Sequence, residues 1–234
     1  MIEAEWWDAD DSAELAASAA GDIQFIIESA IDARGQALIA VPGSGIALTV
    51  LKEVAKAKFD WKRVTIVPTG DCLVAVDSPL SGAAALARIF LPKGARVLPI
   101  GSENADYKAA GRAADARLED LQWPPDLVWL DVGANGETAG IFRGPDLDEA
   151  LNGPKARRAI GVMPDPLPKD APVARVTLTR AAIISARTLI VALEGDDAKA
   201  VLEKALEDGP LSDTPIGRVL AEVTVPVDIH WCPA

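Results

Sequence analysis

Three stretches of this 234-residue sequence carry residue types at spacings that suit proton transfer and the grip of an anion. The first is Gly133-Ala134-Asn135-Gly136-Glu137-Thr138, which directly follows the apolar run Leu127 to Val132 and precedes Phe142, Arg143 and Gly144. It presents a carboxylate and a hydroxyl beside flexible backbone, at the end of a buried strand. Such a carboxylate acts as a general base if it reaches a water and stays unprotonated. The plainer alternative is a solvated loop acid or a first-turn helix acid, and the segment alone does not separate the two. The second stretch is Pro42-Gly43-Ser44-Gly45, where glycines between a strand and a helix let backbone N–H groups approach an anion at the positive helix end. Its spacing fits neither a P-loop nor the full dinucleotide fingerprint, and ordinary turn chemistry explains it equally well. The third is Arg175-Val176-Thr177-Leu178-Thr179, whose alternation sets Arg175, Thr177 and Thr179 on one strand face. A guanidinium fork there suits a phosphate, against the commoner fate of a surface arginine that lays its stem over apolar surface. Lys199, near a helix start after Gly195, is a weaker candidate of the same kind.

Other reactive residues offer less. Cys72 is an isolated loop thiol without an evident histidine partner, and it reads as a small filler. The one histidine, His230, falls in the last strand and reads as a partly buried structural residue. One histidine and two distant cysteines make no ligand cluster, so neither a metal nor a nucleotide cofactor is expected. Thirty-five acidic against 23 basic side chains give a net charge of −12, which repels nucleic acid and anionic membrane surfaces. An anionic substrate therefore needs a locally basic mouth. Arg143, Lys155, Arg157 and Arg158 follow the Gly133 loop closely enough to contribute, although such a run is more often a solvated face. The acidic N-terminal stretch Met1 to Asp11 does not read as a signal peptide, and no apolar run reaches membrane-spanning length. A cytoplasmic setting is expected.

The elements that must position these residues alternate. Helical spacing covers Ser12 to about Ile31, with Ser12 as the expected cap, then Ile46 to Ala57, Ser81 to Phe90 and Asp106 to Leu121. Short apolar runs at Ala37–Val41, Val64–Val67, Ala95–Ile100 and Leu127–Val132 read as strands. Later come strands at Val173–Leu178, Leu189–Leu193 and Val223–Trp231, with helices at Thr179–Arg187 and Asp196–Glu207. Prolines 145, 154, 164, 166, 168 and 172 mark residues 145–172 as a surface excursion. The pattern predicts one α/β domain over 1–234: a mostly parallel β-sheet flanked by helices in a Rossmann-like three-layer sandwich. Ligands in such sheets bind beyond the carboxyl ends of the strands, which selects the loops after Val41, Val67, Val132 and Leu178.

Taken in order, these segments resemble the 6-phosphogluconolactonase family, itself related to the glucosamine-6-phosphate deaminases. Against the family motif G-M-G-x-D-G-H-T-A-S-L-F-P-G the chain reads Asp131 through Gly144, keeping both inner glycines, Thr138-Ala139, Phe142 and Gly144. The family's S-G-G-S-T-P phosphate loop corresponds to Val41 through Ile46, its R-I-T-L-T to Arg175–Thr179, its G-x-x-K-A to Gly195–Ala200, and its terminal tryptophan strand to Val225–Trp231. The resemblance implies hydrolysis of a phosphosugar lactone, with Gly43, Ser44, Gly45, Arg175 and Lys199 on the phosphate and Gly133, Gly136 and Thr138 lining the pocket. The departures fall on the chemistry: Glu137 replaces the family's histidine, Asn135 its aspartate, and Gly70-Asp71-Cys72 its D-E-R triplet. Glu137, Asn135 and Asp71 are thus the expected catalytic residues. The resemblance implies a pentose phosphate pathway enzyme, a monomer or homodimer, that opens 6-phosphoglucono-1,5-lactone. A silent sugar-phosphate-binding protein of the same fold is the alternative, and an isomerising deaminase is disfavoured because its acidic pair and histidine are altered.

Overall fold

Residues 3–234 are described by a computed structural model. Strands buried on both faces must be mostly apolar, and the chain supplies them as β2 (Ala37–Val41), β3 (Val64–Pro68, with a half-buried Thr65), β6 (Leu127–Leu130) and β9 (Leu189–Glu194, with only Glu194 exposed). With β1 (Ala4–Asp8), β5 (Arg96–Val97) and β10 (Val227–Cys232) they form a seven-stranded sheet in the order β1-β10-β9-β6-β2-β3-β5, every pair parallel. Parallel pairing requires crossovers, and the helices provide them.

On one face lie α1 (Ser12–Arg34), α2 (Ile46–Val54) and α3 (Gly82–Phe90), which with the sheet bury one core cluster. α1 turns Leu15, Ala19, Ile23, Ile27 and Ala30 inward at helical spacing. Its cap is Asp11, whose carboxylate accepts the N–H groups of Ala13 and Glu14 at 2.8 Å, not the expected Ser12. The other face carries α4 (Tyr107–Glu119), α5 (Leu147–Asn152), α6 (Arg180–Ile184), α7 (Asp196–Asp208) and α8 (Pro215–Leu220), which share the second core cluster. This is the expected three-layer α/β sandwich. Among the described residues no helix is long and apolar enough to cross a membrane.

The expectation of one sheet is corrected. Arg175–Leu178 is not in the main sheet; as β8 it pairs antiparallel with β4 (Gly70–Cys72) and β7 (Ala159–Val162) in a three-stranded sheet. The chain leaves β3 at Thr69, whose N–H still bonds to Val41, and turns away from the main sheet so that its carbonyl receives the Leu178 N–H at 2.9 Å. The excursion read at 145–172 holds α5 and β7. Lys108 ties it to α4 through Asp146 and Glu149, each at 2.7 Å, and Asp146 also accepts the Met163 N–H at 2.8 Å. Gly161 lies so close to the Tyr107 carbonyl that a side chain would overlap it. The strand at β1, in the acidic stretch that carried no strand expectation, completes the sheet's edge.

Candidate active site

Residues beyond the carboxyl ends of β2, β3 and β6 are drawn together by the small sheet. β4 and β8 set Cys72 opposite Arg175, and the Arg175 Nη1 lies 3.2 Å from the Cys72 Sγ. The same guanidinium donates to the Ala171 carbonyl at 3.2 Å and lies over the Phe142 ring, 4.7 Å from its centroid. Its Nε–H is buried without a partner among the described residues, as is the Thr138 hydroxyl. Buried donors without protein partners are the usual sign of a ligand or ordered water.

The loop after β6 is held from four sides. The Asp131 carboxylate accepts the Ala139 N–H at 2.7 Å, and Thr177 donates its hydroxyl to the Ala139 carbonyl, also at 2.7 Å. Gly70 on β4 abuts that carbonyl so closely that only glycine fits. On the far side the Ile216 N–H bonds to Gly136 at 2.9 Å, and Arg143 donates to the Asp213 carbonyl at 3.1 Å. Ala139 itself is left-handed, with φ 53, a conformation these contacts impose. Within the loop Glu137 Oε2 accepts the Asn135 N–H at 2.9 Å, and its carboxyl packs onto Gly133, where a Cβ would overlap it. Gly133, Gly136 and Thr138 thus belong to the same loop as Glu137. Asn135 is exposed, and the bond that links it to Glu137 comes from its backbone.

Asp71 is placed otherwise than expected. Its side chain is buried, and its Oδ1 accepts the N–H groups of Cys72 (2.9 Å) and Gly82 (2.8 Å) while Oδ2 accepts that of Ala83 (3.1 Å). It therefore closes the first turn of α3 beside the cap Ser81, which takes the Ala84 N–H at 3.2 Å. Both oxygens are engaged by backbone N–H groups, contacts that suit a structural clamp. Burial pushes its carboxyl above the ordinary range, against the pull of those three N–H groups and of Arg175. Burial likewise raises the Cys72 thiol, with Arg175 opposing, so Cys72 stays a thiol as the filler reading expects.

The glycine loop joins this group through Gly43, which touches Gly82 backbone to backbone; a Cβ on Gly43 would overlap Gly82. Ser44 and Gly45 are exposed, and no side chain caps the first turn of α2, whose cap position is Gly45 at φ 61. Its leading N–H groups are available to an anion. Lys199, expected on the phosphate, lies apart from this group. Its ammonium lies 3.3 Å from Asp8 and over the Trp231 and Trp6 rings, 3.6 and 5.2 Å from their centroids. That places it at the β1–β10 edge, two to three strand spacings, roughly 10–14 Å, from β6. Two of the other candidate basic residues are also committed: Arg157 pairs with Glu149, and Arg158 lies over Trp123. His230 is buried on the α1 side, near Asp22 and Ser18, far from the loop after β6. Among the described residues no group of three or more His, Cys, Asp or Glu side chains could hold a metal ion.

One further acid, given no role by the sequence, is Asp131, which interrupts the apolar run one residue before its end and stands where the family motif has its first glycine. Burial pushes its carboxyl upward; the Ala139 N–H and its own N–H pull down, Glu137 adds to the rise and Arg175 opposes it. Arg175 is thus the shared cation of Asp71, Cys72 and Asp131.

The architecture and these segments recur in known proteins. Residues 10–231 match the family described as glucosamine-6-phosphate isomerases/6-phosphogluconolactonase. The chain is 33% identical over 231 residues to a 6-phosphogluconolactonase of Mesorhizobium japonicum, covering 95% of this chain and 93% of that protein. It is 30% identical to one of Pseudomonas putida, with coverage of 95% and 90%. The crystal structure of a 6-phosphogluconolactonase from Shewanella baltica superposes with a TM-score of 0.88 at 26% identity, covering 98% of each chain. A monomeric glucosamine-6-phosphate deaminase shares the fold at TM-score 0.78 and 16% identity. With its sheet order, its loop after β6 and its family match over nearly the whole length, the chain belongs to the glucosamine-6-phosphate isomerase/6-phosphogluconolactonase family.

Proposed function

We propose that this protein is a lactone hydrolase that opens 6-phosphoglucono-1,5-lactone to 6-phosphogluconate, the 6-phosphogluconolactonase step of the pentose phosphate pathway. The observation that carries the reading is the unbroken line of contacts from Gly43 through Gly82 and Asp71 to Cys72, Arg175 and Phe142, with the Asp131–Gly144 loop beside it. The N–H groups of Gly43, Ser44 and Gly45 and the Arg175 fork hold the phosphate. The Gly133–Thr138 backbone forms the wall at the reacting carbon, and the Thr138 hydroxyl supplies a donor that otherwise lacks a partner. Glu137, oriented by the Asn135 N–H, takes a proton from water as the hydroxyl adds to the C1 carbonyl. A positioned base contributes about 10²- to 10⁴-fold, and holding the reactants together adds more. A phosphorylated sugar lactone is the partner. With a net charge of −12, nucleic acid and anionic membranes are not partners in this reading, and its setting is cytoplasmic, as monomer or homodimer.

The test follows acid release from freshly made lactone, above the spontaneous rate, from pH 5 to 8. The parent should keep its activity below pH 6, where an imidazole base titrating near ~6.5 would protonate. Glu137→Gln should lose about 10²-fold or more in kcat. A fall with an apparent pKa near ~6.5 in both proteins would remove Glu137 from the role. Binding of 6-phosphogluconate in a thermal-shift assay without any rate above background would replace the enzyme by a silent sugar-phosphate-binding protein.

A further inference from the structure

The candidate active site lies beyond the carboxyl ends of the main strands, and the amino ends hold a second hollow that the lactonase reading leaves unused. It is a cavity of about 70 Å³ where α1 ends and β2, β6 and β9 begin, lined by Arg34, Gln36, Gln122, Trp123, Asp126 and Arg187. β6 separates the two places, since Asp126 to Leu130 spans about 13 Å at the rise of a strand. Asp126 is buried and fixes the floor: its Oδ2 accepts the Leu38 N–H at 2.8 Å and its Oδ1 the Arg34 Nη2 at 2.6 Å. Arg34 alone neutralises that carboxylate, yet Arg187 brings a second guanidinium, with its Nε 3.5 Å from the same Oδ1. Among the described residues the Arg187 side chain makes no hydrogen bond, Arg34 makes only the one to Asp126, and the carboxamides of Gln36 and Gln122 make none. Two guanidiniums against one carboxylate leave a positive charge in the hollow of a chain whose net charge is −12. A third guanidinium, that of Arg158, lies over the Trp123 ring, 4.6 Å from its centroid.

We propose that this hollow is a phosphate site, taking a phosphate dianion either free or as the terminal group of a small phosphomonoester. Size and donor chemistry select that ligand. A water-sized group needs about 10–15 Å³ of such space, so the cavity takes about five to seven of them, and phosphate has five heavy atoms. Guanidinium forks match the oxygens of a phosphate, and the carboxamide N–H groups of Gln36 and Gln122 add uncharged donors at the rim. Arg187 is the main grip, because Arg34 is held by Asp126. Trp123 supplies a wall, kept in place by its Nε1–H on the Ser185 hydroxyl at 2.8 Å. The site does not depend on the lactonase reading, for it shares no residue with the candidate active site.

The test titrates inorganic phosphate and glycerol 3-phosphate, separately and at constant low ionic strength, into the isotope-labelled full chain. The readout is the NMR resonance of the Trp123 indole N–H, assigned by its loss in Trp123→Phe. That resonance reports the hollow itself, whereas total binding would include phosphate held at the Gly43–Gly45 loop. The expected result is a saturable shift with a Kd of about 1 mM. Arg187→Gln should raise that Kd about tenfold or more, and Gln122→Glu, which sets a negative charge at the rim, about fivefold. Both side chains are exposed, so neither change disturbs the core. Saturation by inorganic phosphate alone assigns the free ion, and saturation by the ester, alone or as well, assigns the phosphoryl group of a monoester. No saturable shift with either probe up to about 50 mM, or a Kd unchanged in Arg187→Gln, would overturn the site while leaving the lactonase reading standing.

Discussion

Replacing Asp71 separates a clamp from a catalyst, because the family resemblance assigns it chemistry and its contacts assign it structure. Oδ1 receives two backbone N–H groups and Oδ2 one, at 2.8 to 3.1 Å, and two of the three donors belong to the first turn of α3. Asparagine can keep its oxygen toward Cys72 and Gly82, but its amide then meets the Ala83 N–H donor to donor. One buried donor left unsatisfied costs about 1–3 kcal/mol, and the two retained bonds lose the strength that a charge lends them. Removing a buried charge offsets part of this, since burial already disfavours the ionised form. The balance is a loss of about 2 kcal/mol for Asp71→Asn and more for Asp71→Ala, which leaves all three donors bare. In a chain of this size that corresponds to about 4–8 °C in melting temperature. The assay pairs a thermal melt with kcat measured well below the variant's transition. The clamp predicts the melting shift with kcat within about tenfold of the parent. A kcat loss of 10³-fold with an unchanged melt and unchanged circular dichroism would refute the reasoning and return Asp71 to the chemistry.

Gly161→Ala should lower stability by about 1–3 kcal/mol, read by denaturant unfolding, because its Cβ would overlap the Tyr107 carbonyl and force α4 off β7; a neutral result would mean that the two elements are not in contact in solution. Lys199→Gln should change KM for the lactone by less than about threefold, because the ammonium is held by Asp8 and the two tryptophans; a large rise in KM would place Lys199 on the phosphate after all. For His230, burial lowers the imidazole pKa, with Asp22 and then Asp228 pulling the other way. The unfolded chain therefore binds a proton near pH 6.5 while the native protein does so only at lower pH, and stability is lost as pH falls through that window. The melting temperature of the parent should drop more between pH 7 and 5 than that of His230→Gln, and parallel curves would remove His230 as the cause.

Much of this molecule is legible without coordinates. Strands such as Ala37–Val41 and Leu127–Leu130 are apolar at every position because both faces are covered, and that burial leaves an unbroken run in the chain. The loop containing Glu137 is legible for a related reason, as a cluster of glycines directly after such a run marks a strand's carboxyl end. Arg175 stands out by its alternating strand. What stayed hidden depends on which elements meet. Asp131 looks like the last residue of a strand until Ala139 turns its N–H back onto it, and β1 looks like an acidic terminus until it pairs with β10.

The sequence alone determined the alternating elements, the parallel sheet and the segments that face its carboxyl end, because hydrophobic periodicity and turn residues act over a few neighbours. Only the tertiary structure decided the roles of the charged residues. A carboxylate or an ammonium has the same local signature whether it meets backbone, an aromatic ring or a substrate. Asp71 meets the backbone of α3, Lys199 the Asp8 carboxylate and Asp131 the Ala139 N–H, through contacts made across 8 to 191 residues of chain.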